Sequence, residues 1–339
     1  MEVGKEMKKL LKKVLRKIKR IFNKYIYVSV IMPVYNVKEY LGEALDSLLN
    51  QSLKDIEIIC IDDESTDGSY ELLKEYAKKD KRVKVYKQKH SNAGNARNIG
   101  IKKAHGKYLL FLDSDDFFDK DLCRDVYHFA NYYDTDVLLF SAYQYDNETR
   151  ETKDFLYYLD TNFIEPRKLY SSIDLKGHLF HITTPCPWTK AFKREFIKEK
   201  GLKFSSLTNS NDLTFVFSSL ALANRIVGID EKLVNYRMNQ KNSTQSTKHK
   251  NPLNVFKAYK ELKNNLENEN VFEIFYPTYL NYMITGIMFN INSVKTDEAR
   301  DEIINYLNNG GFEELGIEHI DEDLIYAKKK YEEFKAIFK

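Results

Sequence analysis

The 339-residue chain has few of the residues that form linkers, turns and cross-links. With only 13 Gly and 6 Pro it holds no long linker or low-complexity stretch, and no internal repeat is visible. Its three cysteines, Cys60, Cys123 and Cys186, are odd in number, far apart and without metal-ligand spacing. This excludes a disulfide scaffold, and we expect buried thiols in a protein of a reducing cytoplasm.

The N-terminal segment is strongly basic. Residues 1–25 contain ten Lys or Arg against two Glu, a net +8, whereas the chain as a whole carries +3 and the remainder therefore −5. The apolar residues of this segment recur at three- and four-residue steps, which predicts an amphipathic helix with a basic face. The segment lacks a continuous apolar core and a cleavage site, and it is too charged to cross a bilayer, which excludes a signal peptide and a membrane span.

We expect this basic segment to bind an anionic membrane surface, at about 1 kcal/mol for each basic residue near the lipid. The alternative is a helix that packs on its own domain with a solvated basic face. Binding to nucleic acid is disfavoured, because the segment lacks the interleaved aromatic residues that base stacking needs.

Apolar residues (43%) and aromatic residues (14%) are plentiful, enough for the core of one large domain or two ordinary ones. The most informative apolar run is Tyr108 to Leu112, which predicts a strand buried on both faces. The run ends on Asp113, Asp115 and Asp116. These carboxylates stand at the carboxyl end of the strand, where α/β sheets bind ligands. They would repel one another unless they shared a cation such as Mg²⁺ or Mn²⁺. The alternative is a polar loop in which Asp113 or Ser114 caps the next helix.

Strands and helices alternate around this run. Strands are predicted at residues 27–34, 56–61, 83–86, 108–112 and 136–141, with helices between them. Ser91 or Asn92 is suited to cap the helix that precedes the Asp113 strand. This order predicts an α/β fold with a doubly wound, mostly parallel sheet and right-handed crossovers, complete near residue 145.

Four motifs in this region carry a family resemblance. They are Val30-Ile-Met-Pro-Val-Tyr-Asn36, Ile61-Asp-Asp-Glu-Ser-Thr-Asp-Gly-Ser69, Asn92-Ala-Gly-Asn-Ala-Arg-Asn-Ile-Gly100 and Phe111-Leu-Asp-Ser-Asp-Asp116. In this order and spacing the chain resembles the family 2 glycosyltransferases, inverting enzymes with the GT-A fold, of the bacterial surface polysaccharide type. The resemblance is close over residues 27–145 and looser over 180–250, and it does not reach the N-terminal segment or the residues after 250.

The resemblance implies a site for a nucleotide-sugar donor. Asp63 would accept a hydrogen bond from the uracil N3–H, with Pro33 and Tyr35 packing on the ring and Asn36 fixing the loop. Arg97 would reach a phosphate or the ribose through its planar guanidinium. Gly94 and Gly100 in the same region would allow two backbones to approach closely.

The resemblance also implies a metal site. Asp113 and Asp115 correspond to the Asp-x-Asp pair of the family, which bridges Mn²⁺ or Mg²⁺ to the diphosphate; Asp115 is the preferred direct ligand, and Ser114 between them belongs to the donor site. The role of His249 stays open: it is either a further metal ligand or a solvated histidine in a loop.

Two later stretches resemble the family less closely. Thr189 stands where the family has Asn, and the neighbouring Trp188 is either a stacking surface for a sugar or a core residue. Asp212 corresponds to the catalytic base ahead of a helix, although Asn211 departs from the family's Glu. The helix macrodipole would favour an ionised carboxylate at Asp212, as a base requires.

The last part of the chain is predicted to be helical. Tyr236 and Arg237, followed by a polar loop at 239–244, resemble a lid over the donor phosphates. Beyond residue 250 we predict a helix at 255–266, a buried helical hairpin at 271–291 that serves as an acceptor or homodimer surface, and charged amphipathic stretches after Asp297 and Asp321.

We therefore predict four parts: a membrane-surface helix (1–25), a nucleotide-sugar-binding subdomain (26–145), an acceptor-binding and catalytic part (146–250) and a helical region (251–339). The predicted activity is metal-dependent, inverting transfer of a hexosyl or N-acetylhexosaminyl group from a UDP-sugar to a glycan or lipid-linked acceptor. The expected location is the cytoplasmic face of the plasma membrane. The chain lacks the Gln-x-x-Arg-Trp motif of processive synthases, which favours transfer of one or few sugars over polymerisation.

Two other classes stay open. A sugar nucleotidyltransferase also uses paired carboxylates on an α/β sheet, but residues 32–36 lack the Gly-rich, basic phosphate loop that this class usually shows. A non-catalytic, membrane-associated scaffold of the same fold is compatible with the departures at Thr189 and Asn211.

Overall fold

The computed structural model describes residues 25–154, 159–239 and 251–338. The basic segment before Tyr25, residues 240–244 of the expected lid and His249 lie outside the described residues. The strands are β1 Val28–Val34, β2 Ile56–Asp62, β3 Val83–Lys87, β4 Tyr108–Phe111, β5 Phe117–Phe118, β6 Val137–Asp146, β7 Thr152–Asp154, β8 Leu169–Tyr170, β9 Lys190–Lys193 and β10 Ile226–Met238.

The first half of the described chain has the expected alternation of strands and helices. The helices up to β10 are α1 Lys38–Leu49, α2 Ser69–Lys79, α3 Ala93–Lys103, α4 Leu122–Tyr133, α5 Arg194–Glu199 and α6 Leu213–Leu222. Strands β3, β2, β1 and β4 pair in parallel in that order. All residues of β2 and β4 are buried, as their continuous apolar sequence predicts.

The whole sheet is mixed, in the order β3-β2-β1-β4-β9-β6-β10-β5, with β7 on β6 and β8 on β10. The prediction of a mostly parallel sheet in an α/β fold is confirmed, with one antiparallel strand at its centre. β9 runs antiparallel to both β4 and β6. A parallel neighbour would need a crossover connection that returns the chain to the other end of the sheet, whereas the chain enters β9 from the end where β4 finishes.

The described residues after 250 are helical. The elements are α7 Asn254–Asn268, α8 Phe272–Ser293, α9 Asp297–Tyr306, a π-helical turn Leu307–Gly311, α10 Phe312–Leu315, a 3₁₀ turn Glu322–Leu324 and α11 Lys328–Ile337. The predicted hairpin is wrong, because α8 is one continuous helix of 22 residues with Pro277 in its second turn. Its buried face runs on past Pro277, and packing outweighs the one hydrogen bond that proline removes. None of the described helices has the length and apolarity needed to span a membrane.

Each face of the sheet has its own core. α1, α2 and α4 cover one face, and α3, α6 and the C-terminal helices cover the other. On the second face α3 lies close to β1, because a Cβ on Gly100 would come within 2.3 Å of Ile31 Cγ2. The expected close approach at Gly100 is thus confirmed. Cys60 and Cys123 are buried as predicted, whereas Cys186 is partly exposed.

Candidate functional site

The Asp113 loop begins where β4 leaves the sheet. The Leu112 N–H still donates to the Ile31 carbonyl at 3.0 Å, and the carboxylates follow directly. α4 starts only at Leu122, after the short β5. Asp113 and Ser114 therefore do not cap that helix, and the capping alternative is wrong. The Asp113 side chain is 30% exposed, so it faces the cleft at the carboxyl end of the parallel strands.

Asp116 lies behind this loop and is buried. Its Oδ1 accepts a hydrogen bond from the Arg237 N–H at 2.8 Å, and its Oδ2 has no hydrogen-bond partner among the described residues. Burial, and then the charges of Asp115 and Asp113, raise the pKa of Asp116 well above its usual value. The negative charges of these three carboxylates thus repel one another, and a cation would relieve their repulsion.

These residues fit a divalent ion that a bound diphosphate helps to hold. In the described parts of the chain no three His, Cys, Asp or Glu side chains are close enough together to bind a metal by themselves. Mg²⁺ is usually held by one or two carboxylates together with substrate phosphates and water, and Mn²⁺ takes the same oxygen ligands. Asp113 and Asp115, with the orphaned Asp116 oxygen behind them, offer such a partial site.

Arg97 connects the carboxylate loop to the loop before α6. It is buried, and its Nη2 donates to Asp113 Oδ1 at 2.7 Å while its Nη1 donates to Asn211 Oδ1 at 3.1 Å. The guanidinium also lies over the Phe204 ring, 5.3 Å from its centroid. Gly94 permits this junction, because a Cβ there would lie 2.2 Å from the Ser205 carbonyl oxygen. In this conformation Arg97 holds two protein loops together.

Asp212 lies next in the chain, at the N-cap position of α6, and its side chain makes no capping hydrogen bond. Burial raises the pKa of Asp212 above its usual value, although the positive charge of Arg97 opposes the shift. Loss of hydration therefore opposes the effect of the helix macrodipole at Asp212, and the role of Asp212 as the catalytic base stays a prediction. A carboxylate with a raised pKa is a stronger base than an exposed aspartate.

A second polar pocket lies at the carboxyl end of β2. Asp63 is buried, and its Oδ1 accepts from Gln88 Nε2 at 2.6 Å and from the Ser91 N–H at 2.9 Å. Its Oδ2 lies 3.1 Å from His90 Nδ1. The rings of His90 and Tyr35 are stacked, with centroids 4.4 Å apart. A flat ring that stacked on Tyr35 in place of His90 would therefore lie close to the Asp63 carboxylate, which can accept a hydrogen bond.

The Asn36 side chain fixes the loop around this pocket. Asn36 has φ 51°, in the left-handed region that Asn tolerates. Its N–H donates to Ser65 Oγ at 3.1 Å, and its Oδ1 accepts from the Thr66 N–H at 2.8 Å. Pro33 lies three residues before Asn36, near the end of β1. It is partly buried and pairs with Ile61 of β2.

Trp188 is buried and stacks on Tyr236, with ring centroids 5.0 Å apart and planes 6° from parallel. One face of the indole is thus covered by a residue of β10. The neighbouring Lys190 is fully buried. The sequence analysis assigned no role to Lys190 or His90. Lys190 lies in the stretch 185–192 that resembles the family loosely, and His90 lies outside the motifs.

Arg237 lies in β10 and is buried rather than part of a loop. Besides the bond to Asp116, its Nε donates to the Asp115 carbonyl oxygen at 2.9 Å and its Nη1 to Asn147 Oδ1 at 2.7 Å. Its Nη2 forms an ion pair with Glu43. Arg237 therefore holds the carboxylate loop in place through its hydrogen bonds to Asp115 and Asp116. Donor phosphates would contact that loop rather than Arg237 itself.

Comparison with known proteins gives a consistent picture. The family described as Glycosyl transferase family 2 matches residues 29–201, more than half of the chain. The glycosyltransferase EpsJ of Bacillus subtilis, itself described as uncharacterized, is 30% identical over 64% of this chain and 63% of its own length. The poly(ribitol-phosphate) beta-glucosyltransferase of Bacillus spizizenii is 32% identical over 56% of this chain and 32% of its own length. The chain thus spans less than two thirds of either relative.

Two solved structures have a similar fold. TarS residues 1–349 of S. aureus, in complex with UDP-GlcNAc, has a TM-score of 0.62 at 20% identity and covers 86% of this chain and 88% of its own. The mannosyltransferase PcManGT of Pyrobaculum calidifontis, in complex with GDP-Man and Mn²⁺, has a TM-score of 0.52 at 15% identity and covers 84% and 76%. At these identities the similarity shows the fold, which is that of the GT-A proteins.

Proposed function

Because this chain belongs to glycosyl transferase family 2, we propose that it transfers a sugar from a nucleotide-sugar donor in the synthesis of a bacterial surface polysaccharide. One observation carries the proposal. The hydrogen bonds from Asp113 through Arg97 to Asn211 join the candidate metal-binding loop to the residue before Asp212. A carboxylate pair for a diphosphate and a partly buried carboxylate for an acceptor hydroxyl therefore lie on two loops that are joined to each other.

A UDP-sugar is the donor we propose. Support comes from Asp63, whose buried carboxylate next to the exposed Tyr35 ring suits the N3–H and the flat face of uracil. The structurally similar TarS was solved with UDP and with UDP-GlcNAc. The pocket of this chain would have to open between Tyr35 and His90 to admit the base.

The proposed reaction is a single displacement with inversion. A bond forms between the acceptor oxygen and the sugar C1 while the C1–O bond to the diphosphate breaks, and Asp212 takes the proton of the acceptor hydroxyl. Asp113 and Asp115 would hold Mn²⁺ or Mg²⁺, which would neutralise charge on the leaving nucleoside diphosphate. Arg97 keeps Asp113 and the loop before Asp212 in a fixed arrangement.

The location and acceptor are also proposals. The +8 charge and apolar stripe of residues 1–25 support attachment to the anionic inner face of the plasma membrane. A membrane-bound enzyme of this type would act on a glycan or lipid-linked acceptor. The C-terminal helices are the region that we propose for a homodimer contact.

The experiment is a donor panel. UDP-glucose, UDP-galactose, UDP-GlcNAc and GDP-mannose are incubated with the protein and Mn²⁺, and release of the nucleoside diphosphate is measured. We expect turnover or slow hydrolysis with at least one UDP-sugar, and loss of UDP binding in Asp63→Asn but not in the matched surface variant Asp301→Asn. The proposal fails if no donor is bound or hydrolysed by the wild type.

A further inference from the structure

Lys190, the first residue of β9, has no exposed surface. Lysine is almost never fully buried unless its ammonium group is paired. Here Nζ donates hydrogen bonds to the Cys186 carbonyl oxygen at 2.8 Å and to the Thr189 hydroxyl at 3.1 Å. Both acceptors are neutral, so these bonds hold the ammonium in place without balancing its charge.

The sheet register brings Lys190 to the candidate site. β9 is antiparallel to β4, with Ala191 opposite Leu110, so Lys190 lies near the strand end that carries Asp113. Side chains two residues apart in a strand share a face, and Phe192 packs against Phe215 of α6 with ring centroids 5.0 Å apart. Lys190 therefore lies on the sheet face that α6 covers, and α6 begins directly after Asp212.

The charges around Asp212 are consistent with this position. Burial lowers the pKa of Lys190, and the charges of Cys186 and then of Asp212 oppose that shift. Asp212 in turn faces the positive charge of Arg97 and the negative charge of Asp113, and its own charge acts on the Tyr282 hydroxyl. Arg97 is already shared between Asp113 and Asn211, and the charge of Asp212 also acts on the buried ammonium group of Lys190.

We propose that Lys190 is a positioning residue for the transfer reaction, whose buried ammonium keeps Asp212 in the ionised form that accepts the proton of the acceptor. This inference rests on the proposed function, since it gives Lys190 a task only where Asp212 is the base. A structural alternative is that Lys190 merely ties Cys186 and Thr189 together beneath Trp188.

The test compares Lys190→Met and Lys190→Gln with Thr189→Val, which removes one hydrogen-bond partner but keeps the ammonium. The pH dependence of kcat is measured by UDP release from the UDP-sugar that the wild type uses, with Mn²⁺ present. Removing a positive charge raises the pKa of a neighbouring carboxyl group, so the acid limb of the profile should move to higher pH by about one unit in the Lys190 variants. We also expect kcat to fall by up to about tenfold at pH values on the acid limb, with the donor KM unchanged.

The Thr189→Val variant should keep the acid limb of the wild type. The inference is overturned if the Lys190 variants keep the wild-type limb, whatever their kcat. It is also overturned if both Lys190 variants fail to fold while Thr189→Val folds, because the role would then be structural. Absence of nucleotide release and of UDP binding by the wild type would instead reject the proposed function itself.

Discussion

Arg97 shows how one buried side chain can organise a site of several charges. Its two terminal nitrogens hold Asp113 and Asn211, which are separated by almost a hundred residues in the chain. A lysine has one compact ammonium group and lacks the planar fork that holds two such acceptors at fixed positions. The geometry of the cleft therefore depends on the type of cation as well as on its charge.

A first prediction concerns Asp115. If Asp113 and Asp115 hold a divalent ion against the donor diphosphate, Asp115→Asn should lower turnover by about two orders of magnitude or more, because the charge on the leaving group is no longer neutralised. The melting temperature should change little, since Asp115 is partly exposed. The measurement is nucleotide release against Mn²⁺ concentration, together with a thermal melt. Full turnover of the wild type in excess chelator would contradict the metal assignment.

Single residues were predicted with mixed success. The motifs led to Asp63, Asp113, Asp115 and Asp212 because each stands at a strand or helix end that the local pattern marks. Sequence could not give the ionisation of Asp212, since the raised pKa comes from burial by segments distant in the chain. It also could not single out Lys190, whose burial depends on the pairing of β9 within the sheet.

At the scale of elements, local patterns predicted the first half of the chain well and the second half less well. The strands before residue 112 are continuous apolar runs between helices of regular period, and their limits agree with the structure within one or two residues. β9 was not foreseen, because four residues carry too little pattern to be distinguished from a loop. The prediction of a hairpin at 271–291 was wrong, because the helix Phe272–Ser293 continues through Pro277 without a turn.

A second prediction concerns the contact of the 178–182 segment with the C-terminal helices. The His181 Nδ1 lies 2.7 Å from the Tyr326 hydroxyl, and the ring contacts Tyr282. Burial, then the charge of His178, lower the pKa of His181 from 6.5 to about 4. The unfolded chain therefore binds this proton at a higher pH than the folded protein does, so stability is lost as the pH falls from about 6.5 to about 4.

His181→Gln should remove this acid sensitivity. The wild type should lose up to about 3 kcal/mol of unfolding free energy across that window from this group alone, and the variant should lose correspondingly less. Urea unfolding at pH 7, 5.5 and 4.5 measures the difference, with the exposed His128→Gln as the matched control. Parallel pH dependences in wild type and His181→Gln would contradict the assignment.

At the scale of the whole molecule, the C-terminal helices share a core with the sheet. The buried side chains of α6, α7 and α8 form one continuous apolar cluster with Ile31, Phe111 and Phe192 of the strands. The helical region therefore supports the face on which Asp212 lies. Local patterns predicted the helices but not this shared core, because packing between distant segments leaves no local pattern.

A third prediction concerns residues 1–25. If they anchor the protein to anionic lipid, deletion of residues 1–24 should abolish flotation with anionic liposomes while UDP-sugar turnover in solution is unchanged. Binding of the full-length protein should weaken with salt, because exposed charges are screened over about 8 Å at physiological ionic strength.

A matched variant separates charge from apolar contact in this segment. Replacing Lys8, Lys9, Lys12 and Lys13 by Gln keeps the apolar stripe and should weaken binding to anionic liposomes with little effect on neutral ones. Equal binding by the truncated and full-length proteins would contradict the anchor, and an insoluble truncation would favour a helix packed on its own domain.

The account as a whole depends on Asp212 as the base of a glycosyl transfer, and steady-state kinetics of Asp212→Asn test this most directly. With the UDP-sugar that the wild type uses and saturating Mn²⁺, kcat should fall by about 10²–10⁴-fold, because the base acts in the transition state, while the affinity for UDP stays near that of the wild type. The exposed Asp301→Asn should behave as the wild type in both measurements. A near-wild-type kcat in Asp212→Asn, with the donor still turned over, would contradict the account.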